Sequence, residues 1–346
     1  MAKKFDVVIG NPPYQDERVG DNNAKAQPIY HEFMDAAFEV SERAVLITPA
    51  RFLSNAGQTP KAWNQKVLSD EHLKIALFAP QSSAIFPGTL IDGGIVVTYR
   101  DASAVIGPIG RNSHMDDVAR ALVDRVVPQI RTPMSSIITE HPCSWNPKVF
   151  SDHPELRGRI PESSGLRLKT NTFERMVEVC LEATSGEQDE YVRVLGLVRR
   201  QRAERWIRRD YLVTPPVVDK FKVILAAADG AAVKSGRVIG SPSVEAPGTG
   251  FTQTFMAIGL FESASEADAA AKFVKTKFAR AMLSTLKTTQ HNSAVKWQHV
   301  PNQDFTRKSD IDWSKTTAEI DQQLYAKYGL DEMEIAFIES RVKPMN

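Results

Sequence analysis

The chain has 346 residues, a formal net charge of +1, 42% hydrophobic and 25% charged residues, the make-up of an ordinary globular protein long enough for about two domains. No stretch approaches the roughly 20 apolar residues of a membrane span, and Met1-Ala2-Lys3-Lys4 runs straight into a strand-like segment, not a signal-peptide core, so a cytoplasmic protein is expected. The two cysteines, Cys143 and Cys180, exclude a disulfide framework and a zinc cluster and read as reduced core residues.

In chain order, Phe5–Ile9 is β-rich and stops at Gly10-Asn11-Pro12-Pro13, where two prolines end both ladder and helix, so a strand leads into a rigid loop. Ile29, Phe33, Ala36, Ala37 and Val40 repeat at helical spacing, and Ala44–Thr48 reads as a buried strand. A second helix over about Pro60–Leu68 and a strand at Leu73–Phe78 follow, with a further strand at Gly93–Tyr99 reached without a helix. Two crossover units and an antiparallel pair predict an α/β sheet with a reversed edge strand.

After about residue 103 this alternation ceases. Asp116–Val127 looks helical, and Arg131–Gly165 is rich in Pro, Ser and charge, a linker or the irregular start of a second domain. Strand-like runs at Tyr191–Val198, Phe221–Ala226 and Phe251–Leu260 precede a helical stretch over Ala264–Ser284, so the second region is mixed α+β. Gly329 stops a helix, and Asp331 with Glu334 forms the pattern of an N-cap box opening a last one. The domain limits read from these shifts are 1–112 and 113–346.

Charge is uneven: residues 1–102 hold ten Lys/Arg against twelve Asp/Glu, residues 193–222 nine against three, and residues 272–308 eight against one. Two basic stretches point to a polyanion, with solvated helix faces as the alternative. The candidate phosphate contacts are Arg199, Arg200, Arg202, Arg208 and Arg209 around Trp206, then Lys277 and Arg280 at helical spacing, and Lys296 beside Trp297. The histidines show no metal-ligand spacing, and no metal site is expected.

The loop Asn11-Pro12-Pro13-Tyr14 carries the chemistry. Methylating an exocyclic amine requires its lone pair, normally delocalised into the ring, to face the methyl in line, which two acceptors can enforce by holding the two amino hydrogens. The Asn11 side-chain oxygen and the Pro12 carbonyl can supply them from a proline-stiffened turn. Tyr14 offers a face for a planar base, worth about 1–3 kcal/mol. No general base is needed, because the methylated amine is acidic enough to lose a proton to water.

Phe5–Gln15 resembles the catalytic motif of amino-methyltransferases, and the chain resembles the gamma group of adenine-specific DNA methyltransferases of type II restriction–modification systems. Leu46–Leu53 resembles that family's next strand and turn. Ala84-Ile85-Phe86-Pro87-Gly88 resembles its second base-contacting motif, in which Phe86 would help to hold the flipped adenine. Ile207–Tyr211, Asp219–Val223 and Val274–Arg280 resemble its target-recognition region, and Tyr328–Glu339 its carboxyl terminus. The resemblance implies catalytic residues Asn11, Pro12, Pro13 and Tyr14, S-adenosylmethionine as methyl donor, and double-stranded DNA as partner. It also implies a partial Rossmann-like methyltransferase sheet of distal strands, followed by a target-recognition domain.

One departure stands out: the family's glycine-rich cofactor loop precedes the Asn-Pro-Pro-Tyr loop, whereas ten residues precede Asn11. Val105–Gly110, Asp229-Gly230 and Gly248-Thr249-Gly250 are poor substitutes, so a truncated or split enzyme is expected, completed by another segment or chain. The alternatives are a DNA-binding or specificity module without catalysis, and a protein-glutamine methyltransferase, which uses the same four residues but typically has little sequence after them.

Overall fold

Alternation of Phe5, Val7 and Ile9 with their neighbours gives strand β1 (Phe5–Gly10), which the Pro12-Pro13 pair cannot extend. The computed structural model describes residues 3–16, 27–54, 58–109, 117–160, 165–184, 190–287 and 290–345, and the chain divides into two units, Met1–Arg120 and Ala121–Asn346. The boundary expected at 112/113 lies outside the described residues.

In the first unit, helix α1 (Tyr30–Val40) buries Tyr30, Met34 and Ala37, one helical stripe, and leads into β2 (Ser41–Pro49). Helix α2 (Lys61–Leu68), β3 (Leu73–Ala79) and β4 (Ile95–Asp101) follow. The sheet order is β1-β2-β4-β3: β1 and β2 are parallel, with Gly10 opposite Leu46, and β4 is antiparallel to both β2 and β3. The expected reversed strand is present but is not an edge. The long connection after β3 lets β4 fold back between β2 and β3, and Ile95 and Val96, both fully buried, are apolar on successive faces as an interior strand requires. Gly94, at φ +80°, permits this return, since a Cβ there would lie 2.3 Å from the Ala79 carbonyl oxygen. Tyr30, Phe52 and Trp63 pack edge-on or tilted at 5.5–6.4 Å in the core beside Met34, Leu46 and Val96.

In the second unit, which takes over within helix α3 (Asp117–Val126), short strands β5 (Ile138–Thr139) and β6 (Ser144–Trp145) and short helices α4 (Lys148–Asp152) and α5 (Thr172–Arg175) precede a long hairpin. That hairpin, β7 (Tyr191–Val198) with β8 (Gln201–Arg208), turns through Arg199 and Arg200. Strand β9 (Leu212–Val213) pairs with β6, and β10 (Phe221–Ala226), helix α6 (Gly230–Lys234), β11 (Ser243–Glu245), β12 (Thr249–Phe251) and β13 (Phe255–Phe261) complete two more sheets, ordered β11-β10-β13-β5 and β12-β7-β8. The single strand expected over Phe251–Leu260 is thus two, separated at Thr252–Thr254. Cys143 and Cys180 are buried and free, and burial pushes their thiols up to about 11 and about 12, as reduced core residues should behave.

The helix expected over Ala264–Ser284 is also two, α7 (Ala264–Lys275) and α8 (Lys277–Ser284), because Thr276 adopts ψ 150° and caps α8 by accepting the Ala279 N–H. Asp321, in helix α9 (Thr317–Tyr328), accepts the Lys277 and Phe278 N–H groups at 3.0 and 2.9 Å. Gly329 ends α9, and the Asp331–Glu334 box opens α10 (Glu332–Arg341). Among the described residues, no helix is long and apolar enough to cross a membrane.

Arg280, read in the sequence as a phosphate contact, is corrected here: it is 1% exposed. Its Nε donates to the carbonyls of Lys275 and Thr276, and its Nη1 to those of Arg237 and Lys343 at 3.1 and 2.7 Å, so the guanidinium holds the end of α7, the turn after α6 and the C-terminal tail together. We expect Arg280→Ala to cost the second unit about 3 kcal/mol, the scale for removing one partner of a buried charged hydrogen-bond set. Urea unfolding checks this; an unchanged midpoint accompanied by weaker DNA binding would return Arg280 to the interface. Lys296 is corrected likewise, being 9% exposed, with burial lowering its pKa.

Candidate functional site

Three loops leave the same edge of the first sheet. Because β1, β2 and β3 all run parallel, with β4 reversed among them, Asn11–Tyr14, Thr48–Leu53 and the connection carrying Phe86 all follow carboxyl ends of strands. Beyond the proline pair, the first loop is anchored by backbone bonds: the Ile29 N–H donates to the Tyr14 carbonyl at 3.2 Å, and the Asp16 N–H to the Gln27 carbonyl at 2.9 Å. An antiparallel bridge between Gln15 and Pro28 closes it onto the entry to α1.

Asn11 is exposed, Pro12 half-buried, Pro13 exposed and Tyr14 half-buried. The Tyr14 ring packs on the core, and its hydroxyl is buried without a well-formed hydrogen bond, beside the Asn11 side chain. Burial raises the Tyr14 pKa against a smaller opposing effect of Asn11, so the phenol stays neutral. Next to this loop, at the end of β2, stands Thr48, fully buried with no partner for its hydroxyl among the described residues. Thr48 lies in the Leu46–Leu53 run that resembles the family's next strand and turn, but no role for its hydroxyl can be read from the sequence, since a threonine in an apolar strand fits β-propensity alone.

The turn after β2 is fixed by Arg51, whose Nε donates to the Asp92 carbonyl at 2.6 Å, and by the Ala50 N–H to the Gly94 carbonyl. In the connection after β3, Ser82 accepts the Ile91 N–H and donates to the Thr89 carbonyl at 2.6 Å, which shapes the turn presenting Phe86. Phe86 is half-buried and makes no ring pair with Tyr14 among the described residues. Topology brings the two to one edge, without a ring pair between them among the described residues.

The glycine segments downstream of the loop serve packing and turns. In the 105–110 segment, the Ile106 and Gly107 N–H groups both donate to the Glu71 carbonyl, and a Cβ on Gly107 would lie 2.2 Å from the Leu73 oxygen, so this glycine serves packing. Asp229 accepts the Ala232 N–H as a turn of α6 begins, and Gly250 is packed against Cys143 and Val192. By contrast, the outer edge of β1 has no strand beside it among the described residues, and Phe5, Val7 and Ile9 are 56%, 45% and 75% exposed.

In the second unit the remaining basic candidates are surface groups. Arg199 and Arg200 are exposed at the hairpin apex, and neither guanidinium has a carboxylate partner among the described residues. Arg202 pairs with Glu245 at 3.0 Å and lies over Phe255, Arg208 pairs with Asp210 over Tyr211, Arg209 pairs with Asp219, and Lys277 pairs with Glu339. The exposed pairs of Arg208 and Arg209 are worth about 0–1 kcal/mol, little enough for a phosphate to displace the carboxylate, whereas Glu245 is buried and also pairs with Arg193, which ties Arg202 down more firmly. Lys222, within a run resembling target-recognition sequence, is instead fully buried and donates to the carbonyls of Val218, Lys220 and Ala246.

Comparison with known proteins places a likeness on the first loop. Residues 1–86, which include Asn11–Tyr14, the turn after β2 and Phe86, match the family described as Eco57I restriction-modification methylase. No curated protein matches the chain. Over that opening segment the chain is similar to the methylases of restriction–modification systems.

Proposed function

We propose that the chain is the base-holding and DNA-reading part of a site-specific N6-adenine methyltransferase, its methyl donor S-adenosylmethionine being held by a segment other than those described. The observation that carries this reading is the proline-locked loop Asn11–Tyr14 at the carboxyl end of β1, with Asn11 exposed, inside the segment that matches restriction–modification methylases. Adenine turned out of the duplex, at a cost of a few kcal/mol, presents its amino hydrogens to the Asn11 side-chain oxygen and the Pro12 carbonyl. Tyr14 contributes its ring face, and Phe86 approaches from the same edge. Holding both hydrogens takes the nitrogen lone pair out of conjugation and aims it at a methyl, the electrophile that the bound donor supplies.

In this reading the order β1-β2-β4-β3 is the distal half of a Rossmann-like sheet, with residues 1–112 as catalytic half and 113–346 as target-recognition domain. The missing strands pair with β1. An unpaired, apolar strand beside a candidate active-site loop is the edge that proteins otherwise blunt with charge or cover. A module that binds DNA without catalysis is the second reading, favoured by Arg199 and Arg200, exposed at the β7–β8 apex and without a carboxylate partner among the described residues.

Deleting the chain from its native host and mapping modified bases tests the proposal. One sequence motif should lose its N6-methyladenine. An unchanged map, or a loss confined to cytosine marks, refutes it.

A further inference from the structure

A cavity of about 310 Å³ lies in the second unit, in the segment that the sequence shows only as irregular. Arg159, Arg167, Lys169 and Arg175 line it, and no carboxylate does among the described residues. Its floor is apolar, from Ile160, Met176 and the buried Trp145, and its remaining polar groups include the amides of Asn171 and Gln253. The volume sits at the lower end of pockets that enclose small molecules, ~300 Å³, enough for one nucleotide unit and far too small for a duplex.

The four cations are not equivalent. Arg159 is neutralised by a bidentate pair with Glu178, at 2.7 Å for each bond, and its Nη1 also donates to the Arg175 carbonyl, while Arg175 returns a bond to the Arg159 carbonyl at 3.1 Å. These two arginines build the wall. Arg167, Lys169 and Arg175 have no carboxylate partner among the described residues, so the uncompensated charge of the cavity resides on these three; Arg175 is committed to the Arg159 carbonyl, which leaves Arg167 and Lys169 to meet an anion. The Gln253 Nε2 is tied to Thr170 at 3.3 Å, which leaves its oxygen as an acceptor. Glu174, within the same α5 helix, accepts the Arg199 N–H at 2.9 Å and so ties this wall to the apex of the β7–β8 hairpin, where Arg199 and Arg200 are exposed.

We infer that this cavity is a binding site for a phosphate-bearing nucleotide unit, its phosphate held by Arg167 and Lys169 and its flat portion lying on the Ile160–Met176 floor between the Asn171 and Gln253 amides. Unpaired cations above an apolar floor, with acceptors and donors at the rim, match a charged head joined to a planar body. The phosphate comes from the DNA backbone or from a free nucleotide. The first source rests on the reading that this chain handles DNA, and the second does not.

The test uses the full chain and its Arg167→Ala/Lys169→Ala variant, with thermal melting as a control on folding. Binding of a fluorescent duplex is followed against salt, and binding of AMP by calorimetry. Two lost phosphate contacts should reduce the slope of log K against log salt by about 1.8; that result assigns the cavity to the DNA backbone. AMP binding by the wild type that vanishes in the variant, with the slope unchanged, also supports the site and assigns it to a free nucleotide. If the variant melts like the wild type, and neither the slope nor AMP binding differs, the inference is overturned. A wild type that fails to bind duplex while still binding AMP through these residues would sink the DNA reading and leave the cavity standing.

Discussion

Asn11→Ala, introduced at the native locus, should lower N6-methyladenine formation by about 10²–10³-fold, the scale for deleting one positioned hydrogen-bonding group at a reacting centre. The side chain is exposed at the tip of β1, and the loop that carries it is held by the Tyr14 carbonyl, the Gln15–Pro28 bridge and two prolines, none of which involves the Asn11 amide. Folding should therefore be unaffected, and the loss should fall on turnover and not on DNA affinity, because the acceptor matters most when the nitrogen has given up conjugation. Asn11→Asp keeps an oxygen acceptor and should recover part of the rate. Full methylation in the alanine variant would show that the loop does not hold the amine, whatever the rest of the chain does.

The second large effect concerns β1. Val7→Lys puts a cation in the middle of the unpaired edge strand, at a side chain already 45% exposed. Within the chain itself the change should be nearly silent, inside the ±0.5 kcal/mol typical of surface substitutions, and solubility should improve. Once the cofactor-binding strands dock beside β1, the same ammonium must be buried against apolar side chains, which is costly without a partner. We expect cellular methylation to fall by tenfold or more while the melting temperature of the purified chain holds. Equal methylation in Val7→Lys and wild-type cells would mean that no strands cover this edge.

What could be read from the sequence was what is encoded locally. The strands β1, β3 and β7, the helices α1 and α10, the stop at Gly329 and the Asp331–Glu334 box each depend on residues within one turn or one ladder step, and the structure has them where expected. Thr276 breaks a helix without a proline or glycine to announce it, and the break follows from the contact of Asp321 with the start of α8, 44 residues away. The continuous apolar run Ile95–Val97 is compatible with β4 lying inside the sheet, but which strands its two faces meet is decided by the connection after β3 and not by the run itself. Lys277 and Arg280 share a helical face by spacing, yet the Lys343 carbonyl draws Arg280 into the interior while Glu339 holds Lys277 near the surface. The basic cavity escaped for a related reason. Residues 157–175 hold five Lys/Arg against two Asp/Glu, a modest excess whose significance arises only when Gln253 and Trp145 close around it.

The apex of the β7–β8 hairpin has Arg199 at φ +49° and Arg200 at φ +66°, in the left-handed region. For residues other than glycine this conformation costs of the order of 1–3 kcal/mol each, and the two-residue turns that fit a hairpin's twist favour Asn-Gly at these positions. A hairpin selected only for ease of closure would not carry two long cations at its tip. For the proposed DNA-reading role, the easiest sequence to fold and the one best able to reach into a groove of negative charge are different sequences, and the apex fits the second.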